Sequence, residues 1–291
     1  MKIILIGCVN FSKHALIKLI QLNASIVGVI TKTTSNYNSD FENLSEIAIN
    51  NNIPFKFAND INHVDNISWI KERNPDIIFC FGWSSLIKIE LLNLPKMGIV
   101  GYHPALLPNN RGRHPLIWAK VLGLKITGST FFFMDEGADT GDILDQKEIP
   151  LFFEDDINDI YNRMLNIAIP QLENIYIQLI SNTYLGVKQN VAGNTWRKRN
   201  QIDGLIDFRM TTISICNLVR ALTRPFPGAH CQIDNKEYKI WKVMPGNFHD
   251  NNIEPGKIIR SENGILEVKT GDGSVKLLDH DILISKTVKY I

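Results

Sequence analysis

Two side chains in this sequence have the types and spacing for proton transfer. His103 ends the run Gly98-Ile99-Val100-Gly101-Tyr102, which reads as a short buried strand, and it precedes a loop stiffened by Pro104 and Pro108, whose φ is fixed. It is the only one of the seven histidines in such a setting. An imidazole titrates near neutrality and suits general acid–base work. Asp139 follows 36 residues later, at the end of the next strong strand. A carboxylate there would orient an imidazole and stabilise its charged form. Each residue also has an ordinary reading: a histidine bonded within a loop, and a turn or N-cap aspartate. Asp135, Glu136 and Asp142 share the latter. Arg111 and Arg113 flank Gly112 and read either as a bidentate phosphate clamp or as a solvated loop. Phe81 and Trp83 read as apolar core or as a face for a flat heterocycle.

The elements that must position these groups follow from periodicity. Residues 2–7 are an apolar strand; Phe11 to Leu22 has helical spacing with Ser12 as a candidate N-cap; Ile26 to Ile30 is a second strand. This β-α-β opening predicts a doubly wound, mostly parallel sheet, in which ligands bind at the C-terminal strand edge. An exposed loop over 31–43, helices over 41–50, 64–73 and 86–94, and strands at 53–57 and 77–81 follow. A helix from Pro115 to Leu122 then leads into the strand Gly128 to Met134. If the strands ending at His103 and Met134 are parallel neighbours joined by that helix, His103 and Asp139 meet at one sheet edge. A strand over 143–149 and a long amphipathic helix, Ile157 to Ile180, complete this part, with Pro170 as a candidate kink. Composition turns polar between about 182 and 204, around Gln189-Asn190-Val191-Ala192-Gly193-Asn194, which reads as a flexible linker. A helix over 211–223 and short alternating strands follow and predict a small barrel. The division expected is residues 1–185, a linker at 186–204, and 205–291.

The bulk numbers exclude several classes. With 291 residues, 44% hydrophobic, 21% charged and a formal net charge of +1, the chain has no global field to draw nucleic acid or a membrane surface. Cys8, Cys80, Cys216 and Cys231 form no C-x-x-C pair and read as buried reduced thiols of a cytoplasmic protein. The N-terminal run reads as a strand, and no apolar run reaches the roughly 20 residues of a membrane span. There is no G-x-G-x-x-G, G-x-S-x-G, Walker or H-x-x-x-H motif, which argues against nicotinamide, serine-hydrolase, P-loop and metal chemistry.

The motif His103-Pro104-Ala105-Leu106-Leu107-Pro108-Asn109-Asn110-Arg111-Gly112, then Gly128-Ser129-Thr130 and Met134-Asp135-Glu136-Gly137-Ala138-Asp139-Thr140-Gly141-Asp142-Ile143-Leu144, resembles the folate-dependent formyltransferase family. Asp203 to Phe208, Arg220 to Ala229 and Pro255 to Ile259 resemble that family's C-terminal domain. The resemblance implies a Rossmann-like formyltransferase domain followed by a small β-barrel-like, OB-like domain. It implies transfer of a formyl group from 10-formyltetrahydrofolate to an amine, without a metal, with His103 and Asp139 as the catalytic pair. Phe81, Gly82, Trp83, Leu86, Leu106, Pro108, Glu136, Gly137 and Ala138 would then line the folate pocket, and Tyr102, Arg111 and Arg113 would face the acceptor. One departure stands out. Where the family carries an asparagine two residues before the histidine, this chain has Gly101. Losing one oxyanion donor costs roughly 3 kcal/mol, and Asn110 or a water is expected to replace it.

Within the family the acceptors are nucleotide-linked amino sugars and the methionyl end of initiator tRNA. The tRNA enzymes tend to carry a basic loop after the second strand; here Thr31 to Glu42 holds Lys32 against Asp40 and Glu42. Residues 200–291 carry 12 Lys/Arg against 11 Asp/Glu. Nucleic-acid affinity comes largely from phosphate neutralisation, so both observations favour the amino sugar, with Trp196-Arg197-Lys198-Arg199 as counter-evidence. A non-catalytic folate or sugar-nucleotide binding protein is the remaining reading, given Gly101. A small C-terminal β-domain could also pair two subunits.

Overall fold

The apolar runs of the sequence become the central strands of an open sheet. The computed structural model describes residues 1–34, 39–283 and 289–291; residues 35–38 of the loop expected after the second strand lie outside the described residues. Along the chain come β1 (Lys2–Gly7), α1 (Asn10–Gln21), β2 (Ser25–Thr31), α2 (Ser45–Asn50), β3 (Phe55–Phe57), α3 (Val64–Arg73), β4 (Ile77–Phe81), α4 (Ile89–Leu92) and β5 (Ile99–His103). After them come β6 (Arg111–Gly112), α5 (Pro115–Val121), β7 (Ile126–Phe133), β8 (Ile143–Pro150), α6 (Ile157–Ile180) and β9 (Thr195–Trp196). By its internal contacts the chain forms two units that interleave in sequence, one of residues 1–115, 127–149 and 162–196, the other of residues 116–126, 150–161 and 197–291.

The first unit is built on a seven-stranded sheet of order β3-β2-β1-β4-β5-β7-β8. The pairs β2–β3, β1–β2, β1–β4 and β4–β5 are all parallel. All five residues of β4 are buried, as a strand covered on both faces must be. Helix α1 turns Phe11, Ala15, Leu16 and Leu19 into this core. Its N-cap is Val9 and not Ser12. Ser12 lies one turn inside, where its hydroxyl donates to the Phe81 carbonyl at 2.6 Å and accepts from Val9 N–H at 3.4 Å. Gly7 permits this approach: a Cβ there would meet Ser12 Oγ at 2.4 Å and the Phe81 carbonyl at 2.6 Å. Pro170 sits inside α6 without ending it.

One topological expectation is corrected. β7 runs antiparallel to β5, pairing Val100 with Phe133 and His103 with Thr130. A parallel neighbour needs a crossover helix packed on the sheet. The connection here holds only the seven-residue α5, and residues 116–126 group with the second unit. Asp139 therefore reaches His103 from the loop between β7 and β8, not from a parallel strand end.

In the second unit, α7 (Thr212–Leu222), β10 (Ala229–Ile233), β11 (Lys236–Pro245), β12 (Ile258–Glu262), β13 (Ile265–Lys269) and β14 (Ser274–His280) follow a short 3₁₀ turn, Gln201–Gly204. The five strands form one antiparallel sheet of order β10-β11-β14-β13-β12. Thr211 caps α7 by accepting from Ser214 N–H. No helix among the described residues is long and apolar enough to cross a membrane.

Candidate active site

Strand alternation sorts the residues around His103 onto two faces. Gly101 and His103 share a face with Phe132 and Thr130, their partners on β7. Tyr102 points the other way. Its ring stacks on Phe11 with centroids 4.1 Å apart and tilts against Phe131 at 4.8 Å, and its hydroxyl lies 3.0 Å from Ser129 Oγ. Burial pushes that phenol well above its usual range. The structure thus places Tyr102, expected to face the acceptor, in the packing on the opposite face from His103.

The loop after His103 is tied down along its length. Thr130 Oγ1 donates to the Ala105 carbonyl at 2.6 Å, Thr127 Oγ1 to the Pro104 carbonyl at 3.1 Å, and Gln146 Nε2 to the Leu107 carbonyl at 2.9 Å. The Leu107–Pro108 peptide is cis. The backbone then returns under the imidazole. His103 Nε2 lies 2.7 Å from the Asn110 carbonyl; a carbonyl only accepts, so Nε2 is the donor. On the other side, His103 Nδ1 lies 3.6 Å from Asp139 Oδ2. That carboxylate oxygen also accepts from the Gly112 N–H at 3.0 Å. The His103 side chain is 6% exposed and that of Asp139 22%, so the carboxylate is the more open end of the pair.

Both partners of His103 have left-handed backbone, with φ +62° at Asn110 and +59° at Asp139. Asn and Asp tolerate that region better than other side chains. The Asn110 carboxamide makes no hydrogen bond to a described residue and is half-buried.

Gly101 is filled space rather than an opening. A Cβ there would lie 2.9 Å from Phe132 Cζ, 3.0 Å from Met134 Cγ and 3.1 Å from Phe132 Cε1. Phe132 is 2% exposed. The volume that a longer residue would need beside His103 is taken by this ring and thioether.

The remaining expected residues divide by burial. The Phe81 ring is fully buried and packs on Phe11, Phe79 and Phe131, so it belongs to the core. Gly82 has φ +66°. Trp83 is half-buried beneath the Lys32 ammonium, 4.7 Å from the ring centre, and its buried indole N–H has no hydrogen-bond partner among the described residues. Leu106 and Pro108 are half-buried; Leu86, Glu136, Gly137 and Ala138 are exposed. Asp135 organises their loop by accepting from Gly137 N–H at 3.0 Å and Thr140 Oγ1 at 2.6 Å. Arg111 and Arg113 are committed inside the loop network: Arg111 Nε donates to the Asp139 carbonyl at 3.1 Å and Nη2 to Gln189 Oε1 at 2.6 Å, while Arg113 Nη2 donates to the Ser84 carbonyl at 2.5 Å.

Sequence reasoning missed Gln189, Asn194 and the short parallel pair β6–β9, which joins Arg111 to Thr195 and Gly112 to Trp196. The segment expected to be a flexible linker is hydrogen-bonded into the site. Gly193 permits the close approach of this segment: a Cβ there would meet the Pro108 carbonyl at 1.7 Å.

In the second unit Arg197 and Arg199 bind neighbours within that unit, Arg199 buried and Arg197 exposed. Arg197 makes two bonds to the Asp203 carboxylate, at 2.7 and 2.5 Å. Arg199 is 8% exposed and donates to the Asp203 carbonyl at 2.7 Å. Both guanidinium groups lie 5.2 Å from the Trp118 ring centre. Burial lowers the Arg199 guanidinium, and bonding to Arg197 holds Asp203 at about 2. All four cysteines are buried thiols outside any disulfide, and burial pushes the Cys80 and Cys231 thiols up to about 12. Among the described residues no group of three His, Cys, Asp or Glu is placed to hold a metal ion.

Comparison with known proteins matches two stretches of the chain. Residues 1–174 match the formyl transferase family and residues 198–289 match formyl transferase, C-terminal domain. A methionyl-tRNA formyltransferase of Caldanaerobacter subterraneus subsp. tengcongensis is 28% identical over 285 residues, covering 96% of this chain and 91% of that protein. The bifunctional polymyxin resistance protein ArnA of Wigglesworthia glossinidia brevipalpis is 30% identical over 245 residues, 83% of this chain but 38% of that longer protein. Among solved structures, WlaRD, a sugar 3N-formyl transferase crystallised with dTDP and 5-N-formyl-THF, aligns with a TM-score of 0.73 at 22% identity, covering 98% of this chain and 99% of that one. The N-formyltransferase from Helicobacter canadensis, in complex with folinic acid and dTDP-3-aminofucose, aligns with a TM-score of 0.74 at 21% identity, covering 95% and 98%.

Proposed function

This chain belongs to the formyl transferase family, and we propose that it moves the formyl group of 10-formyltetrahydrofolate onto the amine of a nucleotide-linked amino sugar. The observation that carries the chemistry is the contact between His103 Nδ1 and Asp139 Oδ2 at 3.6 Å, with the carboxylate the more exposed partner. A neutral amine attacks the formyl carbon and a C–N bond forms. The formyl oxygen becomes an oxyanion, which needs a donor. Collapse breaks the bond to N10 of the folate. The proton lost by the amine is taken up by the Asp139–His103 pair and returned to N10 of the leaving folate. The unpartnered Asn110 carboxamide supplies the donor that Gly101 lacks. In this reading residues 1–185 carry the chemistry.

The acceptor is argued from charge. A net charge of +1, and arginines at 197 and 199 already held by Asp203 and Trp118, leave little to neutralise tRNA phosphates. The two structural relatives described above were crystallised with dTDP or a dTDP-sugar. A second reading, formylation of methionyl-tRNA, is favoured by relatives of that name at 28% and 27% identity over 96% and 99% of this chain. One assay separates them: purified protein with 10-formyltetrahydrofolate and either a panel of amino-sugar nucleotides or charged initiator tRNA, with products read by mass. The expected result is a gain of one formyl group on a sugar nucleotide and none on tRNA. Formylated tRNA would overturn the acceptor assignment, and no product with either would overturn the activity.

A further inference from the structure

The polar segment before β9 enters the His103–Asp139 network without adding a titratable group to it. Gln189 spends its whole carboxamide there. Oε1 accepts from Arg111 Nη2 at 2.6 Å, and Nε2 donates to the carbonyls of Asp139 at 3.1 Å and Gly141 at 2.7 Å. Arg111 Nε donates to the same Asp139 carbonyl at 3.1 Å. Further along, Asn194 Oδ1 accepts the Asn110 N–H at 2.9 Å, and the Asn194 carbonyl accepts the Arg111 N–H at 3.1 Å. Thr195 and Trp196 then pair with Arg111 and Gly112.

Asp139 and Asn110 are the two groups that face the imidazole of His103. Both have positive φ, a backbone state that an unrestrained loop leaves readily. Each is pinned by one side chain of this segment, Asp139 by Gln189 and Asn110 by Asn194.

We propose that residues Gln189 to Thr195 are a positioning strap for the reacting pair. Gln189 fixes the orientation of Asp139, and Asn194 fixes the carbonyl that receives His103 Nε2–H. The rate of formyl transfer then depends on two side chains that touch neither folate nor acceptor. This rests on the reading of His103 and Asp139 as the proton-transfer pair. An ordinary hydrogen bond is worth roughly three- to tenfold, and a misplacement of about 1 Å at a reacting group costs up to about a hundredfold.

The test uses Asn194→Leu and Gln189→Met, which delete the bonds, beside Asn194→Asp, which keeps the Oδ acceptor. Two quantities are read: steady-state kinetics, and the His103 ring N–H resonance in ¹⁵N-labelled protein, assigned by its loss in His103→Gln. Asn194→Leu and Gln189→Met are expected to lower kcat by about tenfold or more with unchanged KM for the folate. Both are expected to shift or broaden the His103 signal, while Asn194→Asp keeps wild-type rate and signal. Wild-type kcat and an unmoved resonance in both deletion variants would overturn the strap. If the wild-type protein transfers no formyl group, the functional reading fails by itself, and the resonance still decides whether the segment fixes His103. Should Asn194→Leu not fold, Gln189→Met decides by the same two readouts.

Discussion

Restoring the family's asparagine by Gly101→Asn is expected to damage this protein before it helps it. The new Cβ would arrive 2.9 Å from Phe132 Cζ, 3.0 Å from Met134 Cγ and 3.1 Å from Phe132 Cε1. Met134 is half-buried and can bend aside, but Phe132 is a rigid ring with 2% exposure. Overpacking of a filled core costs roughly 1–3 kcal/mol. For a domain of this size each kcal/mol moves Tm by about 2–4 °C, so the variant should melt about 2–12 °C lower. Shortening the ring removes the obstacle. In Gly101→Asn with Phe132→Leu, Tm should recover most of that loss, and the amide beside His103 becomes available to the formyl oxygen. One oxyanion donor is worth about a hundredfold or more in kcat, so adding Asn110→Ala to the double variant should leave it at least tenfold faster than Asn110→Ala alone. Scanning calorimetry and release of tetrahydrofolate under saturating substrates measure the two effects. If Gly101→Asn alone melts with the wild type, the packing argument is refuted. If that triple variant is stable and no faster than Asn110→Ala alone, the oxyanion argument is.

Asn110→Ala removes the unpartnered carboxamide; kcat should fall about a hundredfold with folate affinity kept, and an unchanged kcat would remove Asn110 from the oxyanion role. In the second unit, bonding to Arg197 holds the Asp203 carboxylate at about 2, below its unfolded value of 3.8. The stability it contributes is therefore complete above about pH 4 and lost as pH falls through about 2. Asp203→Asn should lose stability near neutrality and show a shallower acid decline between those values; an acid-unfolding curve parallel to that of the wild type would contradict this.

What could be read from the sequence was what depends on neighbours along the chain. The apolar runs at Ile77–Phe81 and Ile99–His103 are strands as expected, and the periodic stretches Val64–Arg73 and Ile157–Ile180 are helices with the expected bounds. The motif from His103 to Gly112 and the acidic turn holding Asp139 were legible because they depend on side-chain identity. Strand direction was not, since it is set by where the connection packs: α5 is too short to cross over the sheet, and β7 runs back along β5. The role of Tyr102 turned on alternation, which places it opposite His103. Gln189 and Asn194 were invisible for another reason. Much of what they bind is main chain, namely the Asp139 and Gly141 carbonyls and the Asn110 N–H, and backbone groups leave no mark on composition. The space behind Gly101 likewise exists only once Phe132 is paired with it.

The central claim is that His103 and Asp139 carry the proton in formyl transfer. It is tested most directly by the single-turnover rate of His103→Asn and Asp139→Asn with 10-formyltetrahydrofolate and whichever acceptor the formylation assay selects, folate binding being followed separately by fluorescence. Each variant should bind folate as the wild type does and lose about 10²- to 10⁴-fold in rate. Either variant transferring the formyl group at the wild-type rate would contradict the account.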